Sequence, residues 1–239
     1  MSSLDIIASV EHDPCPGCTL QRETACPDCP AVRLGVLDGA VRRGVLHTLS
    51  AHETAPLLWE KENQFGLVRR GVLIRERVDS HGHATAIDAA GPACLVSFGL
   101  GIQPTAEGSA SFYAATDVMI VLFPNAAVEA IHKGPLASDL LKLLATSLER
   151  VERIAQARGH GGANRKVARL LCALADTLSP PRRRDRMPAD LQQRDFARLL
   201  GIRPETVSRS LSSLEKKGII ERGVDGLVLI DRDRLELVE

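Results

Sequence analysis

Apolar and polar residues follow two different periods along this chain. Between Pro56 and Pro124, short apolar runs of β-strand type are separated by turns that contain Gly, Pro, His and Asp. Several such runs at near-regular spacing predict a small antiparallel barrel or sandwich. The runs are FGLVRRGVLIRERV, ATAIDAA, ACLVSFGLG and DVMIVLF.

From Ala126 to Arg158 the pattern becomes that of a helix. A set of positions alternates four and three residues apart, which is a heptad seam and predicts pairing with a second helix in a dimer. The pattern fits equally an amphipathic helix that packs on its own barrel. The glycines at 159, 161 and 162 end the helix and mark a domain boundary. The seam consists of Leu140, Leu144, Ser147, Val151, Ile154 and Arg158.

The segment Leu191 to Val238 has the pattern of two short helices followed by a hairpin. Gly201 makes the turn between the helices, and Pro204 lies at a helix start, which tolerates its missing N–H. The second helix is predicted over Glu205 to Lys217, and IIERGVDGLVLI is predicted to be a hairpin with an Asp-Gly turn. Two helices around a glycine turn are typical of a helix-turn-helix, whose second helix enters the DNA major groove. The alternative, an ordinary helical hairpin, leaves the exposed polar face without a role. The residues expected to contact DNA are Arg203, Glu205, Thr206, Ser208, Arg209 and Ser212.

Composition and charge place the chain among folded globular proteins. Of its 239 residues, 44% are hydrophobic and 25% are charged, which is average for such proteins. The 30 basic and 30 acidic residues cancel, but residues 1–164 hold 14 basic and 18 acidic side chains, whereas residues 165–239 hold 16 and 12. No apolar run is long enough to span a membrane, and the N-terminus lacks the pattern of a signal peptide. We therefore expect a cytoplasmic protein whose C-terminal third is basic.

Four cysteines lie close together near the N-terminus, in two C-x2-C pairs separated by seven residues. Thiolates at this density are ligands for zinc or for an iron–sulfur cluster, and the spacing alone does not choose between them. Ordinary reduced thiols are a third interpretation. Cys172 lies on the apolar face of a predicted helix and is expected to be a core residue. The candidate ligands are Cys15, Cys18, Cys26 and Cys29.

From about Ser50 onward the chain resembles the CRP/FNR family of bacterial transcription regulators. RPETVSRSLSSLEKKGII is similar to the family's recognition helix, and VRRGVLIRE followed by HGHATAIDAAGPA is similar to its barrel glycine pattern. The resemblance implies an α+β fold: an antiparallel β-barrel of the cyclic-nucleotide-binding jelly-roll type, a long dimerisation helix and a C-terminal winged helix-turn-helix. The expected boundaries are 1–33 for the Cys-rich metal- or cluster-binding segment, 34–125 for the sensor barrel, 126–160 for the dimerisation helix and 161–239 for the winged helix.

The resemblance also implies partners. Glu205, Ser208 and Arg209 reproduce the E-x-x-S-R face of the FNR branch, which the resemblance links to palindromic double-stranded DNA with TTGAT-type half-sites. It further implies a homodimer that works with RNA polymerase. The side chains suit this role, because Arg bonds guanine bidentately, Glu accepts from the cytosine amino group, and Ser serves either.

For the sensor, the FNR branch carries an oxygen-labile 4Fe-4S cluster on three N-terminal cysteines and one distal cysteine in the barrel. This chain departs from that pattern, because Met119 and Ile120 stand where the distal cysteine is expected. Cys29 is favoured as the fourth ligand because it lies beside the others, and Cys94 is the alternative. The resemblance therefore favours a 4Fe-4S cluster over zinc.

Three other chemistries fit the sequence less well. Cyclic nucleotide binding is disfavoured, because GLGIQPTAEGSASFYA contains no basic residue to compensate a phosphate. A haem sensor would need an axial histidine, for which His81 and His83 in a predicted turn are the candidates. A thiol redox enzyme would leave the winged helix unexplained, and the sequence shows no hydrolase, paired-carboxylate or phosphate-loop motif.

The sequence thus predicts a homodimeric, DNA-binding regulator that senses oxygen, nitric oxide or redox state through an N-terminal cluster. The alternatives are a structural zinc, a haem or small-molecule sensor, or a thiol redox enzyme. With Val151 in the seam and Glu149 and Glu152 expected to point away from it, the cluster-free protein is expected to remain dimeric. The signal is then expected to act through the hinge at residues 159–162.

Overall fold

A computed structural model describes residues 45–56, 63–92, 94–97, 109–124, 137–178, 185–188, 190–223 and 226–238. The cysteine ligands predicted in the N-terminal segment lie outside the described residues. None of the helices within these ranges is long and apolar enough to cross a bilayer.

Two four-stranded antiparallel sheets form the N-terminal part of the described chain. One sheet has the order β1-β8-β3-β6 and the other the order β2-β7-β4-β5. The fold class predicted from the sequence is confirmed, and the apolar runs identified there form strands. The strands are β1 Val45–Leu49, β2 Thr54–Pro56, β3 Asn63–Arg70, β4 Leu73–Val78, β5 Ala84–Ala90, β6 Leu95–Ser97, β7 Ser109–Ala114 and β8 Val118–Pro124.

The tight turn between β3 and β4 depends on Gly71. Its φ of +80° is in the left-handed region, and a Cβ at this position would lie 2.0 Å from the carbonyl oxygen of Asp117. Only glycine avoids both the strain and the clash. The turn allows β4 to pair with β7 and β5, so that Ile74 lies opposite Tyr113 on one side and Ala89 on the other.

Two helices follow the sheets: α1 spans Ala137–Arg158 and α2 spans Ala163–Leu178. Helix α1 contacts β5, β6 and α2. The glycine-containing linker at residues 159–162 separates the two helices, and Gly161 has a φ of +129° there. A Cβ on Gly161 would lie 2.7 Å from Cδ of Arg165, so this linker packs closely on the start of α2.

Three residues of the predicted seam on α1 contact their own chain, as the alternative interpretation of the heptad pattern expects. Ile154 is completely buried in the core of its own chain, and the Ser147 hydroxyl donates to the carbonyl of Leu95 in β6 at 3.4 Å. Arg158 likewise donates to Leu199 O at 2.5 Å within the same chain. The part of this face that contains Ile154 therefore packs on the chain's own sheet and helices, whereas Leu144 and Val151 are half-buried.

The large apolar side chains that α1 exposes are on another face. Leu141 is 64% exposed and Leu148, seven residues later, is 61% exposed. Glu152 follows Leu148 by four residues and therefore lies on the same face. Glu149 and Glu152 are exposed and lie off the predicted seam, as expected, and a dimer that persists without a cluster stays a prediction.

A buried ion pair fixes α1 to the barrel. Arg150 donates from Nε and Nη2 to the two carboxylate oxygens of Asp88 in β5, each at 2.6 Å. Burial opposes the charged guanidinium, but the bidentate contact with Asp88 outweighs it and raises the pKa of Arg150. Removing one partner of such a pair leaves an uncompensated buried charge, which is costly. The pair therefore sets the position of α1 on the sheet.

The C-terminal part of the chain has the predicted order of a winged helix. The elements are α3 Gln193–Leu200, α4 Pro204–Lys216, β9 Ile220–Gly223, β10 Gly226–Leu229 and α5 Arg232–Glu236. Strands β9 and β10 pair antiparallel, with Leu229 opposite Ile220. The residues of the predicted Asp-Gly turn at 224–225 lie outside the described ranges.

One apolar cluster joins the barrel to the winged helix. It includes Ile74 and Ala86 from the second sheet, Ile154 from α1, and Leu199 and Leu211 from the helix-turn-helix. A separate cluster fills the space between the two sheets. The winged helix is therefore packed on the barrel through a shared apolar core as well as through the α1–α2 connection.

Candidate DNA-binding interface and its link to the barrel

The turn between α3 and α4 is formed by the residues that the sequence singled out. Gly201 ends α3 with a φ of +67°, and its N–H donates to Ala197 O. Pro204 is in the first turn of α4, where the missing N–H leaves no bond unmade. Glu205 follows in the same turn, where a carboxylate is favoured by the helix dipole.

Helix α4 is held by its apolar face. Val207, Leu211 and Leu214 are buried in the shared core, which leaves the opposite face free. Arg203, Glu205 and Arg209 are exposed on that face. Three further predicted contact residues are half-buried, and these are Thr206, Ser208 and Ser212. The structure thus brings all six predicted DNA-contacting residues to the start and the outer face of one helix.

The two longest of these side chains are available for a ligand. Arg209 donates from Nη2 to Thr206 Oγ1 at 3.4 Å, a weak contact within one helical turn. Among the described residues, neither Arg209 nor Glu205 forms an ion pair. A guanidinium and a carboxylate one turn apart are therefore presented together to the solvent.

The wing contributes an arginine that the sequence analysis missed. Arg222 in β9 donates from Nη2 to Ser212 Oγ at 3.2 Å and from Nε to Glu215 Oε2 at 3.0 Å. The hydrogen bond with Glu215 raises the pKa of Arg222 and lowers that of Glu215. These contacts fix the wing against the end of α4, and they occupy the Ser212 hydroxyl. The sequence pattern predicted the hairpin of the wing, but it did not show which side chain of the hairpin contacts α4.

Four polar side chains link α3 to the barrel, and we call them the interdomain cluster: Glu76 of β4, Tyr113 of β7, and Asp195 and Arg198 of α3. Glu76 is completely buried, and Arg198 contacts both of its carboxylate oxygens, with Nη2 at 2.7 Å from Oε2. The guanidinium of Arg198 also lies 4.1 Å from the centre of the Tyr113 ring, within cation–π range. The hydrogen bonds that Arg198 donates to the Glu76 carboxylate raise the pKa of Arg198.

Asp195 makes the second connection in this cluster. The Tyr113 hydroxyl donates to Asp195 Oδ1 at 3.1 Å, and the backbone N–H of Gln192 donates to Oδ2 at 2.8 Å. Burial raises the pKa of Asp195. Burial also raises the pKa of Tyr113, and the nearby negative charge of Asp195 raises it further. A single carboxylate therefore caps the start of α3 and holds that helix to β7.

The remaining candidate sensor residues lie in two different places, Cys94 before β6 and the two histidines in the turn between β4 and β5. Cys94 precedes β6, the edge strand opposite β1 in its sheet, and burial raises the pKa of its thiol. His81 and His83 are exposed in the β4–β5 turn, where the N–H groups of both donate to Asp79 Oδ1. No group of three or more His, Cys, Asp or Glu side chains in the described part of the chain is arranged to hold a metal ion.

Cys172 differs in part from its predicted role. It packs against the shared apolar core, but it is only half-buried, and burial raises the pKa of its thiol to about 11. It lines a surface cleft between α1, α2 and α5.

Residues 165–238 match the model of the Crp-like helix-turn-helix domain. This range contains α3, α4, the wing and most of α2. No relative of the chain is found among curated protein sequences.

Solved structures of similar fold cover most of the chain. FixK2 from Bradyrhizobium japonicum is 22% identical, with a TM-score of 0.63, over 82% of this chain and 97% of its own. A mutant of CooA from Carboxydothermus hydrogenoformans is 21% identical, with a TM-score of 0.62, over 85% and 94%. A protein from Listeria monocytogenes EGD-e that contains a cyclic nucleotide-binding domain is 17% identical, with a TM-score of 0.65, over 85% and 98%. The C-terminal part of this chain is thus a Crp-like helix-turn-helix domain, and the chain has the fold of the CRP/FNR-type transcription regulators.

Proposed function

We propose that the protein is a CRP/FNR-type DNA-binding transcription regulator that binds palindromic double-stranded DNA as a homodimer and acts on RNA polymerase. The observation that carries this proposal is helix α4, which is anchored by Val207, Leu211 and Leu214 and presents Glu205 and Arg209 to the solvent. A helix held in this way beside a wing is the geometry that enters a major groove.

The side chains on α4 suit direct contact with base edges. Arg209 can bond a guanine through O6 and N7, and Glu205 can accept from a cytosine amino group. Ser208 and Thr206 can serve either base, whereas the exposed Arg203 at the helix start suits a phosphate. Arg222 is tied to Glu215 and Ser212, so its role is to position the wing beside this face.

Dimerisation is proposed through the exposed face of α1. Leu141 and Leu148 are both more than half exposed and lie two turns apart on one side of the helix. Burying two such side chains on each copy across a two-fold axis would contribute about 1.5–3 kcal/mol for each leucine. Glu152 on the same face would then lie near its symmetry mate.

The sensor is proposed to be a 4Fe-4S cluster held by Cys15, Cys18, Cys26 and Cys29, with structural zinc as the alternative. When bound, such a cluster supplies a redox-active and oxygen-sensitive centre. Cys29 is favoured as the fourth ligand because it lies beside the other three cysteines in the sequence, and Cys94 is the alternative.

A change in the barrel would reach the DNA-binding helices by two routes. Asp88 and Arg150 connect the barrel to α1, and the interdomain cluster connects β4 and β7 directly to α3. A displacement of β4 must therefore either break the hydrogen bonds between Glu76 and Arg198 or move α3 together with β4. This arrangement makes the orientation of the winged helix depend on the state of the barrel.

Replacing Glu76 with Gln should loosen α3 from the barrel, because Arg198 would lose a carboxylate partner that it contacts twice. A charge-assisted hydrogen bond contributes about 1.5–3 kcal/mol, so amide hydrogen exchange in α3 should accelerate at least tenfold. Mass spectrometry of exchanged peptides measures this. Glu205→Gln, on the solvent side of α4, is the control and should leave α3 unchanged. Unaltered exchange in both variants would show that the cluster does not hold the two domains together.

Replacing Arg209 with Ala should weaken binding to the cognate DNA site by about 1–3 kcal/mol and relax discrimination at one base pair in each half-site, because a bidentate guanine contact is lost. Fluorescence anisotropy with a set of single-base variants of the site measures both effects. Arg70→Ala, in the barrel, is the matched control. A variant that keeps full specificity would exclude Arg209 from base contact.

Replacing Leu148 with Asp should convert the dimer to a monomer, because the change removes apolar contact and adds like charges across the two-fold axis. Sedimentation velocity at micromolar concentration measures the mass. Thr146→Asp adds the same charge to the other side of α1 and should remain dimeric. A dimeric Leu148→Asp variant would place the interface elsewhere.

Serine at Cys15, Cys18 or Cys26 should abolish the visible absorption of anaerobically purified protein, because a hydroxyl is a poor substitute for a soft thiolate ligand. Cys29→Ser should do the same, while Cys94→Ser should retain the chromophore. Iron, sulfide and zinc analysis of the same samples identifies the metal. Stoichiometric zinc without iron would contradict the cluster and support the alternative.

A further inference from the structure

A cleft lies where α1, α2 and α5 meet, and its volume is about 700 Å³. This volume is within the range of small-molecule sites, which is about 300–1,000 Å³. Four guanidinium groups and two carboxylates line the cleft, so positive charge is in excess. These side chains are Arg153, Arg165, Arg169, Arg232, Asp176 and Glu236.

One carboxylate holds two of the arginines. Asp176 accepts from Arg232 Nη1 at 2.8 Å and also pairs with Arg153. Burial alone would raise the pKa of Asp176, but the two guanidiniums outweigh this effect and lower it. The charge of Asp176 is therefore shared between an arginine of α1 and one of α5. Arg232 also contacts Glu236 at 3.4 Å, whereas Arg153 has no second carboxylate partner among the described residues.

The other two arginines face the cleft without an ion-pair partner among the described residues. Arg165 and Arg169 lie four residues apart on α2, so their side chains project from the same face. Both are half-buried. The stem of Arg165 packs against Gly161, where a Cβ would lie 2.7 Å from its Cδ. An anion bound by these guanidiniums would therefore contact the group that packs against the α1–α2 linker.

We propose that this arginine cleft binds a small molecule that carries several anionic oxygens, as phosphate or carboxylate groups. Paired guanidiniums bind such oxygens in a bidentate way and with more geometric specificity than lysines. The ligand would join Arg153 of α1 to Arg165 and Arg169 of α2, and would thereby fix the angle across residues 159–162. The site does not involve α3 or α4, so it is separate from the helix proposed to contact DNA. Binding stands on the cleft alone, and only its effect on transcription rests on the proposed function.

Calorimetric titration of the full chain tests the site without DNA, with pyrophosphate as the phosphate probe and citrate as the carboxylate probe at constant ionic strength. Saturable binding of either probe to one site per chain is expected, and the tighter probe identifies the ligand class. Arg165→Gln and Arg169→Gln should each weaken it about tenfold, because each removes a charge-assisted contact. Arg70→Gln, outside the cleft, should not change the affinity. Arg169→Lys keeps the charge but loses the planar fork, so it should also weaken binding. This variant tests the site if Arg169→Gln does not fold.

Asp176→Asn gives a test of opposite sign. It removes a negative charge and releases Arg153 and Arg232, so it should tighten binding of the probe several-fold. If Asp176 serves only to hold the helices together, Asp176→Asn should bind the probe equally well or more weakly.

Two results would overturn the proposal. One is the absence of saturable binding by both probes up to millimolar concentration, or equal affinities in Arg165→Gln, Arg169→Gln and Arg70→Gln. The other comes from DNA titrations: a salt dependence that falls by about one unit per arginine replaced would assign these side chains to DNA phosphates instead. A failure of the wild-type chain to bind DNA would count against the proposed function only, since the calorimetric titration is read separately.

Discussion

The contact between Glu76 and Arg198 is the interaction on which the relation between the two halves of the molecule depends. A buried carboxylate destabilises the fold unless a cation pairs with it. Here the cation is Arg198, which belongs to the first helix of the helix-turn-helix. Folding of the barrel and docking of α3 therefore both require the contact between Glu76 and Arg198. Tyr113 and Asp195 depend on the same docking, because Tyr113 contacts the Arg198 guanidinium through its ring and donates to Asp195 through its hydroxyl.

The second buried pair, Asp88 with Arg150, does the same for α1. Together the two pairs tie both the long helix and the winged helix to neighbouring strands of one sheet, since β4 and β5 are adjacent. A buried ion pair adds little to stability compared with apolar packing, but it is intolerant of displacement. The position of the winged helix is thus specified by charges in the barrel, whereas its stability comes from the shared apolar cluster.

Local patterns along the chain predicted the elements well, and contacts between distant elements poorly. Gly201 and Pro204 determine a turn and a helix start through their own backbone preferences, so both were evident from the sequence. The interdomain cluster was not, because Glu76 and Arg198 are 122 residues apart and neither belongs to a recognisable motif. The α1 seam shows a related limit: a heptad pattern identifies an apolar face but not what covers it, and Ile154 is covered by its own chain.

The shared apolar cluster also bears on how the chain folds. It contains Ile74 of β4, the first strand of the β4–β5 hairpin, and Leu235 of the last helix, so its completion requires contacts between residues very far apart in sequence. Closing such long loops costs entropy before any contact is gained, and high contact order slows folding. Until α1, α2 and α3 dock, the apolar side of β5 that they contact is uncovered. The chain is therefore expected to reach its native state through an intermediate with an exposed sheet, a species that is prone to aggregation.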